Sequence, residues 1–192
     1  MSAIEWAAAA ITLFSVILSA KQNIWSWPTG IAGVALYIDV FWRARLYADM
    51  GLQFFFIAIS IYGWYEWLYG GKNATPLPVT RAPLRVHVMG ALITIVIAIA
   101  FGYFLHRTTD AALPYADSTL AWFSVLAQWQ MARKYLENWF LWIAIDVGSI
   151  CMYLFKKLYV TAGLYAVFIV VCVMAWREWR RSSLEPQSVD RL

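Results

Sequence analysis

Trp139, Trp142 and Asp146 stand at i, i+3 and i+7 in the stretch NWFLWIAID. On a helix that spacing puts two indoles and a carboxylate along one face. Asp146 lies about eight residues inside an apolar run, hence about 12 Å from its start at about 1.5 Å rise per residue. An acid at that depth in a membrane costs a few kcal/mol, so it should face protein or a water-filled cavity. Indole faces attract cations by about 0.5–2 kcal/mol, and a carboxylate accepts hydroxyls or offsets positive charge. The cluster suits a flat, polar or cationic aromatic ligand. The competing account makes the tryptophans an interfacial belt and Asp146 a member of a structural hydrogen-bond network.

Gln53 is the second polar outlier, read as standing in the first turn of the third apolar run. Its amide could read a ligand carboxamide or hydroxyl, or bond neighbouring backbone. Asn23 and Trp27 open the second run, and Tyr165 stands opposite Gln53 in an internal match described below; these three are further candidates for the same site. Asn23 recurs as Asn138, which favours a role at a helix end. His87 and His106 stand at opposite ends of the fourth run and cannot share a metal. No phosphate loop, dinucleotide fingerprint, HExxH or nucleophile elbow is present. No metal or cofactor is expected.

The chain that must position these groups has 192 residues, 62% hydrophobic and 14% charged. A soluble domain carries about 25% charged residues, so too little polar surface exists here to clothe a globule in water. Cys151 and Cys172 sit within apolar runs and read as small packing residues. The net charge of +4 fits basic loops at a bilayer better than nucleic acid, and no nucleic-acid partner is expected. Apolar runs of about 17–25 residues mark membrane spans. Seven are predicted, near 3–20, 27–42, 50–69, 84–105, 118–132, 138–155 and 159–179, followed by a disordered polar tail.

Residues 46–67 and 158–179 match without a gap at nine of 22 positions, among them Gly51/Gly163, Trp64/Trp176 and Trp67/Trp179. Asn23/Asn138 and Trp27/Trp142 match at a separation of 115 rather than 112, which implies a three-residue length difference and sets Asp146 opposite Ile31. Spans 1–3 and 5–7 are thus two copies with the fourth as a connector. An odd number of intervening spans makes the copies parallel. The expected fold is an all-α integral membrane protein of seven transmembrane helices with a 3+1+3 parallel repeat. Its domains are 1–69, a first bundle; 70–110, a linker with the connecting helix; 111–180, a second bundle; and 181–192, the tail. Loop Lys and Arg divide five against ten, which predicts an outside N-terminus and a cytoplasmic C-terminus.

NxWxWPxG at Asn23–Gly30, LYADMGLQ at Leu46–Gln53, the YGWYEW run and WxxWxxxD at Trp139, Trp142 and Asp146 resemble the bacterial PnuC vitamin B3 transporters, over about residues 20–181. The resemblance implies import of nicotinamide riboside across the inner membrane by a SWEET-like full-length transporter fold, often as a homotrimer. It implies substrate-binding roles for Trp139, Trp142 and Asp146, with Gln53 a further contact. Related subgroups carry thiamine or riboflavin. Nicotinamide riboside is a pyridinium cation on a ribose, which the Trp–Trp–Asp face suits independently. A membrane potential draws such a cation inward by about 2.3 kcal/mol per 100 mV, so facilitated diffusion followed by cytoplasmic phosphorylation could sustain uptake without a motor. A thiamine or other vitamin carrier is the alternative. An integral-membrane enzyme would want clustered His or acids near one interface, and a sensor a larger soluble domain; neither is visible.

Overall fold

The computed structural model describes residues 3–43, 47–109, 113–155, 157 and 159–184. Seven helices run in the order α1 (Ala3–Ala20), α2 (Ser26–Arg43), α3 (Tyr47–Tyr69), α4 (Leu84–Thr108), α5 (Pro114–Ala132), α6 (Asn138–Phe155) and α7 (Tyr159–Leu184), with a 3-10 turn at Lys72–Ala74. They coincide with the seven predicted spans, with shifted ends. Pro114 opens α5 four residues early because a first-turn proline loses no hydrogen bond there. α3 starts at Tyr47, which moves Gln53 from the first turn to the second. α7 continues to Leu184, so residues 181–184 of the expected tail are helical; residues 185–192 lie outside the described residues.

Each helix packs on its neighbour in a closed sequence: α1 on α2, α2 on α3, α3 on α5, α5 on α6, α6 on α7 and α7 on α1. α4 packs on α5 from outside this ring. On length and composition alone, α4, α6 and most of α7 can cross a membrane, while Trp6–Ala20 is apolar but shorter. The outward surface carries large apolar side chains such as Leu92, Val96, Ile99 and Val170, as lipid contact requires. This is a multi-pass membrane protein.

The core is concentrated at the end where the α1–α2 and α5–α6 loops lie. There Trp27, Trp67, Trp139 and Trp179 are all at least 97% buried. Trp27 meets Trp67 edge-on at 5.2 Å and 87°, and Trp139 meets Trp179 at 5.3 Å and 89°. Trp67 and Trp179 join the two pairs at 5.7 Å. The Trp67 indole N–H donates to the Met131 carbonyl at 3.1 Å, and that of Trp179 to the Ser19 carbonyl at 3.1 Å. Each member of one set stands 112 residues from its counterpart in the other.

The loops follow the same interval. Gln22 and Lys134 both hold left-handed backbone, with φ of 53° and 50°. Around them, Gln22 N–H and Asn23 N–H bond Ser19 and Leu18 carbonyls, while Lys134 and Tyr135 bond Met131 and Gln130. Both are Schellman closures of a helix end. The interval of 115 proposed for Asn23/Asn138 and Trp27/Trp142 is therefore corrected: Trp27 corresponds to Trp139, and Asp146 to Val34. Each asparagine makes only a local bond, Asn23 accepting from Trp25 N–H at 2.9 Å and Asn138 donating to the Tyr135 carbonyl at 2.6 Å.

Gly63 gives the Trp27 ring its place, since a Cβ there would collide with the indole. Gly63→Ala should lower stability by about 1–3 kcal/mol, the usual cost of overpacking. Thermal unfolding in detergent reads this as a drop of several degrees; an unchanged midpoint would contradict the packing described.

Candidate functional site

α6 carries the predicted cluster. Its apolar run keeps it helical through the membrane, and the 3.6-residue period turns Trp139, Trp142 and Asp146 to one side. The structure treats the three differently. Trp139 is fully buried, in perpendicular edge-to-face contact with Trp179, as Trp27 is with Trp67. Trp142 is only half-buried and packs on the edge of the aromatic core. Asp146 is 4% exposed, and its Oδ2 receives the Cys172 thiol of α7 at 3.7 Å. Cys172, read from sequence as filler, is the partner of the one acid buried among the described residues.

Among the described residues, the buried indole N–H groups of Trp139 and Trp142 reach no acceptor. A buried donor without an acceptor costs about 1–3 kcal/mol. Trp142 thus offers both a partly open π-face and an unsatisfied donor one helical turn from a carboxylate. Trp27 shares the unsatisfied indole N–H, but its ring is enclosed between Trp67 and Gly63.

Tyr165 lies against Tyr153 with ring centroids 5.2 Å apart and planes tilted by 39°, and is hydrogen-bonded to it, with Asp146 and Tyr37 of α2 as electrostatic neighbours of Tyr165. Tyr165 thus has phenols of α2 and α6 and the acid about it, and Tyr37 and Tyr153 were not anticipated. Gln53 lies half-buried in α3 and takes part in side-chain interactions; nothing places it beside Asp146. Asn23 is exposed at the loop end, away from the cluster. The structure thus places Trp139 with Trp27 in the aromatic core, Trp142 on its edge, and Asp146 one turn further along α6 between Cys172 and the neighbourhood of Tyr165.

Lys134 is a further group that sequence reasoning passed over as a loop cation. It is 7% exposed, with Nζ 4.6 Å from the centre of the Trp67 ring and 3.3 Å from Gln22 Oε1. Its only early signal is position, 112 residues after Gln22. Burial pushes its ammonium down to about 8 from 10.5. The unfolded chain then holds this proton more tightly than the native one, so native stability rises with pH between about 8 and 10.5. In thermal unfolding from about pH 7.5 to 9.5, the wild type should gain about 2 kcal/mol relative to Lys134→Met. A gap that stays constant with pH would show that the indole and amide fully offset the burial.

A family described as nicotinamide mononucleotide transporter matches residues 2–181. The nicotinamide riboside transporter PnuC of Escherichia coli is 28% identical over 198 residues, covering 90% of this chain and 83% of the relative. The riboflavin/roseoflavin transporter RibM of Streptomyces davaonensis is 24% identical, covering 87% of this chain and 79% of the relative. A crystal structure of the vitamin B3 transporter PnuC superposes with a TM-score of 0.73 at 21% identity, over 94% of this chain and 81% of the other. That likeness establishes the fold.

Proposed function

Because the chain belongs to the nicotinamide mononucleotide transporter family, a family of transporters and not of enzymes, we propose that it carries nicotinamide riboside by facilitated diffusion. The observation that supports the substrate is Asp146, buried in a membrane helix one turn from the half-open Trp142. An ionisable group inside the membrane is a functional site by default. Its negative charge suits a pyridinium riboside. A mononucleotide would bring a phosphate dianion toward the same carboxylate, and like charges in a low-dielectric site repel strongly. Trp142 supplies a π-face and an indole donor, Trp139 the floor beneath it, Tyr165 a hydroxyl neighbour, and Gln53 a contact from the first half.

The six-helix ring is read as two parallel three-helix bundles, α1–α3 and α5–α7, joined by α4 in a SWEET-like 3+1+3 plan. Its support is the constant interval of 112 between equivalent contacts and the sequential order of the helices around the ring, α1–α3 followed by α5–α7. The bundles rock about a central site to expose it to each side in turn. The loop end rich in Lys and Arg faces the cytoplasm. Arg45, Lys156 and Arg191, which enter that count, lie outside the described residues. Phosphorylation in the cytoplasm would trap the product, and a homotrimer is the proposed assembly.

The relative that carries riboflavin motivates a second ligand in the test. Calorimetry on the purified protein should show saturable binding of nicotinamide riboside and weaker or no binding of nicotinamide mononucleotide, thiamine and riboflavin. Tight riboflavin binding with none for nicotinamide riboside would sink the assignment. Trp142→Ala and Asp146→Ala should each weaken binding about tenfold or more, roughly 1.4 kcal/mol or above, without loss of the folded protein. Normal affinity in both would make the cluster structural.

A further inference from the structure

The two places where the halves meet, the α3·α5 seam and the α7·α1 seam, are equivalent in position but not in chemistry. Across α3·α5, Arg133 Nη1 donates to Glu66 Oε2 at 2.9 Å and to the Tyr62 hydroxyl at 3.3 Å, and Gln128 Nε2 donates to Ser60 Oγ at 3.4 Å. The residues 112 positions away across α7·α1 are Lys21, Glu178, Met174, Val16 and Cys172. Met174 and Val16 cannot make the corresponding hydrogen bonds. Lys21 and Glu178 are both exposed and form no ion pair with each other. Cys172 turns to Asp146 within its own half.

The linker reinforces one seam only. Leu77 N–H donates to the Trp67 carbonyl at the end of α3, and Thr80 then pairs with the α5–α6 loop, receiving from Leu136 N–H at 2.9 Å and donating to the Lys134 carbonyl at 3.1 Å. Ala82 N–H donates to Glu137 Oε2 at 3.0 Å. Leu77 and Val79 are buried in the aromatic core between these anchors. A short segment thus crosses from α3 to the loop after α5 and is fixed at both ends. α7 has no equivalent successor among the described residues; it continues as helix to Leu184.

We infer that the halves hinge on the α3·α5 seam and that the α7·α1 seam is the one that parts during transport. Parting there breaks the Trp179–Ser19 bond, and leaves the linker and the Arg133–Glu66 pair intact. The inference rests on reading the ring as two moving halves, and on no particular substrate.

Two pairs of spin labels at equivalent positions test it on the full chain, with the exposed Cys151 replaced by Ser and the buried Cys172 kept as the partner of Asp146. Ile17→Cys with Arg177→Cys reports α7·α1, and Trp129→Cys with Tyr65→Cys reports α3·α5. In liposomes the first pair should give two distance populations and the second a single narrow one. Nicotinamide riboside should redistribute the first pair and leave the second unmoved. Equal movement at both seams, movement at α3·α5 alone, or a single population at both overturns the hinge. Two populations at α7·α1 that ignore nicotinamide riboside uphold the hinge and count against the substrate. Arg133→Met should broaden the second pair; a distribution as narrow as before would remove the ion pair from the hinge and overturn its assigned part.

Discussion

Edge-to-face contact between four tryptophans is the constraint on which the rest of this structure depends. Each such contact is worth about 0.5–1.5 kcal/mol beyond the area it buries. Trp67 and Trp179 also hand their indole protons across to backbone carbonyls of α5 and α1. Hydrophobic attraction between helices is weak in lipid, so packing and hydrogen bonds must supply the cohesion. Concentrating both in one aromatic layer holds the loop end of the ring together in this conformation. Trp142 packs on the edge of that layer, and Asp146 lies one turn beyond it.

Much of the fold was legible before any coordinates. Seven apolar runs become seven helices because membrane spans announce themselves by length. The match between residues 46–67 and 158–179 reflects packing, since Trp67 and Trp179 make the same kinds of contact at an interval of 112 residues. The error at Trp27 has a physical cause. Trp139 and Trp142 stand one turn apart, and an identity match alone cannot tell a scaffold tryptophan from its neighbour. Carrying the ungapped interval back from α3 and α7 would have found the right partner.

The site was less legible. Charge and depth were enough to single out Asp146, because an acid in hydrocarbon is costly wherever it points. Cys172 reaches the acid from α7, and Tyr37 and Tyr153 gather about Tyr165; no spacing in the chain announces either arrangement. Lys134 looked like an ordinary loop cation because the burial of a loop depends on what folds over it. Here that covering is the linker, whose backbone pairing with residues 134–136 leaves no periodic signal.

The single parallel bridge between Thr80 and Tyr135 is also a depth gauge. Non-helical backbone exposed to hydrocarbon is not tolerated, so the stratum holding residues 75–83 and 133–137 must lie at or beyond the water boundary. From that stratum α6 runs only 18 residues before it ends, about 27 Å at about 1.5 Å per residue. A typical hydrocarbon core is about 30 Å thick. A helix of that length falls slightly short of the hydrocarbon core, a mismatch that bilayers meet by thinning locally or by snorkelling of flanking side chains. Bilayer thickness is therefore a quantity against which α6, the helix that bears Asp146, has little reserve.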